Sequence, residues 1–192
     1  MLKMSAKIAN YSKTRLFILK ITMSAVMTAF AVVLCRFLGF PPDGAYRIEL
    51  SFLPVAVVGM MFGPVWSGMS YAAADLIGAA LFTGVNPFIT LCKLLFGVLM
   101  GAAFYGKKRS IKFIVMFFAV TGIVVDVLCM TPIFIHFFGY TQDAAFTARI
   151  IATAVNVPAR IAVFILMQKF IGSTVLSYSD KNIKREKKDE LL

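Results

Sequence analysis

Residues 94–125 read LLFGVLMGAAFYGKKRSIKFIVMFFAVTGIVV: an apolar run, then Lys107, Lys108, Arg109 and Lys112, then a second apolar run. Clumped Lys and Arg between apolar spans mark the cytoplasmic face of a membrane protein. Two further clumps lie toward the ends of the chain. One is Lys3, Lys7, Lys13, Arg15 and Lys20; the other is Lys169, Lys181, Lys184, Arg185, Lys187 and Lys188. Together the three clumps hold fifteen of the twenty basic residues. The remaining five, Arg36, Arg47, Lys93, Arg149 and Arg160, fall within or at one end of apolar stretches, where charge is costly, and so become functional candidates.

With 192 residues, 60% hydrophobic and 15% charged, the chain is too apolar for a soluble domain. The net charge of +11 does not indicate nucleic acid, because the basic residues flank apolar segments where they meet anionic headgroups. Six segments read as spans: 16–38, 50–62, 66–82, 88–105, 112–135 and 149–171, the second being short. Turn chemistry separates them, with Gly39, Pro41, Pro42 and Gly44 after the first, Gly63 and Pro64 after the second, and Gly84, Asn86 and Pro87 after the third. Six spans put both termini on one side and bring the three clumps together there; a re-entrant pairing of the second and third spans keeps the same sidedness. The expected layout is a basic cytoplasmic segment at 1–15, a six-helix all-α membrane domain at 16–171, and a charged cytoplasmic tail at 172–192 that is a solvated helix or disordered from Asp180. The first span is expected to be retained, not cleaved as a signal peptide.

Several patterns carry no chemistry. Gly101, Gly106 and Lys107 match the start of a phosphate loop, but Lys108 stands where Ser or Thr must bind magnesium and no strand precedes them. Cys35, Cys92 and Cys129 are far apart inside apolar runs, which suggests buried thiols, with no disulfide and no zinc site. His136 reads as a bystander near the outer surface. Small residues recur at helical spacing in Ala25 with Ala29, Gly59 with Gly63, and Gly97 with Gly101, a pattern that lets helices approach closely in lipid.

The intramembrane charges say more. Arg36 lies near the outer end of the first span, Arg47 and Glu49 at the outer start of the second, Asp75 in the middle to outer part of the third, and Lys93 in the second turn of the fourth. Asp126 lies fourteen residues past Lys112, roughly 21 Å at 1.5 Å per residue, and so in the outer half. Arg149 opens the sixth span and Arg160 lies three turns deeper. Exposed to lipid each would cost several kcal/mol, so they face inward, either as ion pairs such as Asp75 with Lys93 or Asp126 with Arg160, or around a polar cavity. Their concentration on one side favours an outward-facing site with a modest positive excess. Phe40, Tyr46, Phe52, Tyr71, Phe82, Phe88, Phe134, Phe137 and Phe138 lie near these charges, and aromatic rings can stack on a flat heterocycle.

The runs Tyr46-Arg47-Ile48-Glu49-Leu50-Ser51-Phe52-Leu53-Pro54, Gly59-Met60-Met61-Phe62-Gly63-Pro64 and Ala74-Asp75-Leu76-Ile77-Gly78, then Asn86-Pro87-Phe88, Gly97 and Gly101, resemble the substrate-binding S components of energy-coupling factor (ECF) vitamin transporters, specifically the folate group. The resemblance extends from residue 22 to 170 and is most specific over 47–78. Arg149-Ile150-Ile151 and Pro158 match its last helix, whereas Asp126 with Pro132, and Arg160, depart from the pattern.

The resemblance implies a multi-pass protein of a prokaryotic plasma membrane that captures a vitamin at its outer face. A transmembrane T component and two ABC ATPases would complete the transporter, ATP and magnesium being used by those ATPases and no cofactor by this chain. Ala25 and Ala29 match the motif by which helix one of such proteins contacts the T component. The S component would topple in the bilayer to carry the vitamin inward. For the ligand, folate or a related pterin, Arg47 and Arg149 would hold carboxylates, Asp75 would accept hydrogen bonds or orient Lys93, and Phe52 and Phe88 would offer ring contacts. Arg36, Tyr71, Asn86 and Asn156 complete the candidate binding set; no catalytic or metal residue is assigned. The alternatives are an S component for another vitamin or precursor, a stand-alone carrier coupling ions through Asp75 or Asp126, an intramembrane enzyme using those two carboxylates, and an assembly scaffold.

Overall fold

The structure, a computed structural model, describes the backbone of residues 2–37, 50–82 and 84–190, and the side chains of residues 14–36, 50–82 and 84–181. Its elements are α1 (Leu2–Phe37), α2 (Phe52–Phe62), α3 (Pro64–Phe82), α4 (Pro87–Phe104), α5 (Ile111–Thr121), a π-helical segment (Gly122–Cys129), α6 (Met130–Phe138), α7 (Gln142–Phe170) and α8 (Gly172–Glu190). Among the described residues five stretches are long and apolar enough to cross a membrane: Thr14–Arg36, Pro64–Phe82, Pro87–Phe104, Ile111–Phe138 and Gln142–Phe170. Their outer faces are apolar, with Leu81, Leu91 and Phe170 among many large side chains left exposed, as lipid contact requires.

The second expected span, α2, has 11 residues, or roughly 16 Å of rise. It begins at mid-depth, where Ser51 Oγ lies 3.3 Å from the Tyr71 hydroxyl, and ends at the Gly63 turn. A helix half the width of a bilayer is tolerable here because nine of its residues are buried in protein, so no lipid has to be spanned.

Glycine makes the α2, α3 and α4 group compact. A Cβ on Gly101 would lie 2.5 Å from Pro64 Cα, and one on Gly97 2.9 Å from Gly68 Cα. The pairs Gly59 with Gly63 and Gly97 with Gly101 thus serve contacts within the chain. On α1, Ser24, Thr28 and Ala31 turn inward, whereas Ala25 and Ala29 share an exposed face with Ile21, Val26, Phe30 and Val33. A phenylalanine cluster fills the interior: Phe104 lies 5.1 Å from Phe117 and 4.6 Å from Phe164, and Phe118 lies 5.7 Å from Phe52.

The loop bearing Lys107, Lys108 and Arg109 is tied to its neighbours. Arg109 Nε donates to the Ala103 carbonyl at 2.8 Å, Gln168 Nε2 donates to the Arg109 carbonyl at 3.3 Å, and Gly106 N–H donates to the Met60 carbonyl at 3.2 Å. At the same end the single tryptophan, Trp66, meets Phe17 edge-on at 6.0 Å.

One element differs from expectation. The helix read as starting at 149 begins at Gln142, with Asp143 in its first turn, where a carboxylate complements the helix dipole; Arg149 is therefore two turns inside α7. The tail continues as α8, whose first half docks on α2, α1 and α7, burying Val175 and Ser179.

Candidate ligand cavity

A cavity of about 230 Å³ opens between α1, α3, α4, the π segment, α6 and α7. It lies at the end opposite the Lys107–Arg109 loop, next to the turn that carries Gly84 and Asn86. Among the described residues its wall holds four cations, Arg36, Lys93, Arg149 and Arg160, and two anions, Asp75 and Asp126. Four minus two leaves a net charge of +2. Ala79, Ile89, Met130, Phe134, Phe138 and Ala152 supply the apolar part of the wall.

Each polar side chain has a local reason for its place. The Arg36 guanidinium lies across Gly78, where a Cβ would come within 3.1 Å of Nε, and 5.4 Å from the Phe82 ring. Asn86 caps α4, its Oδ1 accepting from Phe88 N–H at 3.1 Å, and Pro87 follows at a position where no N–H is needed. One α4 turn on, Thr90 Oγ1 donates to Asp75 Oδ2 at 2.7 Å, joining α4 to α3. Lys93 Nζ donates to the Tyr71 hydroxyl at 3.4 Å and sits 5.0 Å from that ring.

On α7, Arg149, Thr153, Asn156 and Arg160 recur at the spacing of one helix face and all line the cavity. The Arg149 guanidinium lies 3.7 Å from the Phe134 ring, and Phe134 is stacked on Phe138 at 5.0 Å. Arg160 Nη1 pairs with Asp126 Oδ2 at 2.5 Å, so the Asp126–Arg160 pair weighed from sequence is formed.

The π segment explains how Asp126 reaches this wall. Pro132 cannot donate to the Leu128 carbonyl, which breaks the α-helical bonding pattern just after the segment. The hydroxyls of Thr121 and Thr131 donate to the carbonyls of Phe117 and Val127 at 2.7 and 2.5 Å. Gly122, one turn before Asp126, lets α7 come close: a Cβ there would meet Val157 Cγ2 at 2.6 Å and Thr153 Cγ2 at 3.1 Å. π segments of this kind occur often at functional sites.

Of the candidate residues, Arg36, Asp75, Asn86, Lys93, Arg149 and Asn156 are brought together on the cavity wall. Arg47 lies outside the described residues, as do Phe40, Tyr46 and Glu49. Three candidates are outside the lining. Phe52 is 1% exposed and packs against Phe118; Tyr71 is buried behind Lys93; Phe88 is exposed, its ring 5.1 Å from Phe137. Their positions have physical reasons: Phe52 starts a helix buried in the bundle, and Phe88 follows the α4 cap on the face turned away from Thr90. His136 is exposed at the end of α6.

The lining also includes Thr153, Asp126 and Arg160, which sequence reasoning did not place in the binding set. Arg160 shares the α7 face of Asn156, so helical spacing alone would have added it. Among the described residues no group of three His, Cys, Asp or Glu could hold a metal ion.

The sequence model of the family described as ECF transporter, substrate-specific component, matches residues 19–179. Over 137 residues the chain is 31% identical to the folate transporter FolT of Clostridium novyi (strain NT), a match covering 70% of this chain and 78% of that protein. Its fold matches a crystal structure of FolT bound with folic acid, with a TM-score of 0.71 and 27% identity, over 78% of this chain and 93% of the other. The chain therefore belongs to the substrate-specific S components of ECF transporters, and within that family it is FolT-like.

Proposed function

We propose that this S component captures folate or a related carboxylated pterin at the outer face of a prokaryotic plasma membrane. It hands the ligand inward with a T component and two ABC ATPases, which supply ATP hydrolysis with magnesium; the chain itself is a non-catalytic binding subunit. One observation carries the reading: six charged side chains, net +2, converge on a single cavity at the end opposite the basic loop. A cavity of that charge suits a solute with two carboxylates, and its Phe134, Phe138 and Met130 suit a flat ring. The likeness to FolT supports the choice of folate.

In this reading both termini are cytoplasmic, with residues 1–15 and 172–192 flanking a membrane domain at 16–171. Arg36 and Arg149 hold carboxylates near the mouth; Arg47, outside the described residues, is proposed as a further carboxylate contact. Asp75, Asn86, Lys93 and Asn156 bond polar atoms of the ligand. Tyr71 acts through Lys93, whose Nζ donates to its hydroxyl, while Phe52 and Phe88 lie outside the lining.

Titration calorimetry on the purified chain in detergent, without nucleotide, tests the ligand: folate should bind saturably at one site per chain. No heat with folate, but saturable binding of another vitamin, would replace the ligand and keep the transport role. The exposed Ala25 and Ala29 are the proposed T-component contact, where small side chains permit close helix approach. Ala25→Trp with Ala29→Trp should abolish co-purification of the T component and ATPases while leaving folate affinity unchanged. Intact assembly in that variant would move the contact elsewhere.

A further inference from the structure

Cation capture of carboxylates leaves the Asp126–Arg160 pair unexplained. The pair is remote from the cavity mouth: Arg160 lies eleven residues beyond Arg149 on the same α7 face, roughly 16 Å deeper. If its purpose were only to join the π segment to α7, an apolar pair would serve as well, because desolvating two charges offsets most of their attraction. Instead both side chains line the cavity. Asp126 is the more open of the two, its side chain 18% exposed against 8% for Arg160.

A second observation lies beside it. Thr153 turns its methyl toward Gly122, and its buried Oγ1 has no hydrogen-bond partner among the described residues. With the Asn156 amide further along that face, the floor offers a carboxylate, a guanidinium, an amide and an unsatisfied hydroxyl. Such a set matches a planar edge on which donors and acceptors alternate.

We propose that Asp126, steadied by Arg160, is the specificity-determining residue that reads the heterocycle. Its carboxylate accepts two adjacent N–H groups, the ring N–H and exocyclic amine of a 2-amino-4-oxopyrimidine edge, and Arg160 donates to the neighbouring ring carbonyl. This assignment rests on the cavity being a vitamin site and names the heterocycle class that site selects. No proton is transferred: Arg160, paired with Asp126 Oδ2, keeps that oxygen in the plane that the ligand edge meets.

The test is calorimetric binding of folic acid, 2-desamino-folic acid and p-aminobenzoylglutamate, which lacks the heterocycle, with melting temperatures measured alongside. Wild-type protein should prefer folic acid to the desamino analogue by about tenfold or more, the size of hydrogen bonds to a charged group. Asp126→Asn should lose that preference and keep wild-type affinity for p-aminobenzoylglutamate. Should that variant fold poorly, Asp126→Leu with Arg160→Leu removes both charges together and should show the same loss of preference.

An unchanged preference in either variant overturns the assignment and leaves the vitamin reading standing. Wild-type folate affinity in the exchanged pair Asp126→Arg with Arg160→Asp also overturns it, since a structural ion pair survives exchange and a ligand-reading carboxylate does not. Binding of none of the three compounds by wild-type protein would sink the folate reading and this assignment together.

Discussion

Arg149 has two tasks at the cavity, and they constrain what can replace it. Its guanidinium spreads over the Phe134 ring at 3.7 Å, which orients a planar fork toward the cavity. A lysine keeps the charge but loses both the stacking and the bidentate geometry. Arg149→Lys should therefore weaken folate binding about tenfold, and Arg149→Ala somewhat more, with little change in melting temperature; equal affinity in wild type and Arg149→Lys would mean that charge alone suffices. Such residues were legible in the sequence because charge inside an apolar run is costly wherever it occurs. Phe52 was less legible: a phenylalanine costs nothing in either setting, so its membership of the Phe118 cluster depends on packing that no local pattern encodes.

Between elements, the closest contacts involve α4. Since Gly101 leaves no room for a methyl beside Pro64 Cα, Gly101→Ala must push α4 away from the Gly63 turn. The expected cost is about 1–3 kcal/mol, the usual range for overpacking, read as a lower melting temperature in detergent. Gly84→Ala is a weaker perturbation: it sits at positive φ but with open space around its Cβ position. An unshifted melting point for Gly101→Ala would mean that α4 does not pack tightly on the Gly63–Pro64 turn. Small-residue spacing made these contacts visible in the sequence, although it could not say whether the partner helix was internal. The π segment and the early start of α7 were not visible. A π turn reads as an ordinary apolar run, and Gln142 to Ala148 is polar enough to pass for loop until Asp143 is seen as a first-turn acid.

Across the whole molecule, the three basic clumps and the cavity predict opposite accessibilities. In a variant with Cys35, Cys92 and Cys129 replaced by alanine, a cysteine at Asn86 should react with a membrane-impermeant maleimide on intact spheroplasts. A cysteine at Lys108 should react only after lysis; the reverse pattern would invert the topology. The position of Trp66 adds a practical consequence. As the sole indole, held against Phe17 at the basic end and nine residues along α3 from Asp75, it is too far from the cavity for a ligand to quench it by touch. A change in ultraviolet emission on adding a solute that does not itself absorb at the emission wavelength would therefore be a message carried down α3, so fluorometry of the unlabelled chain with such a solute can detect motion at the far end.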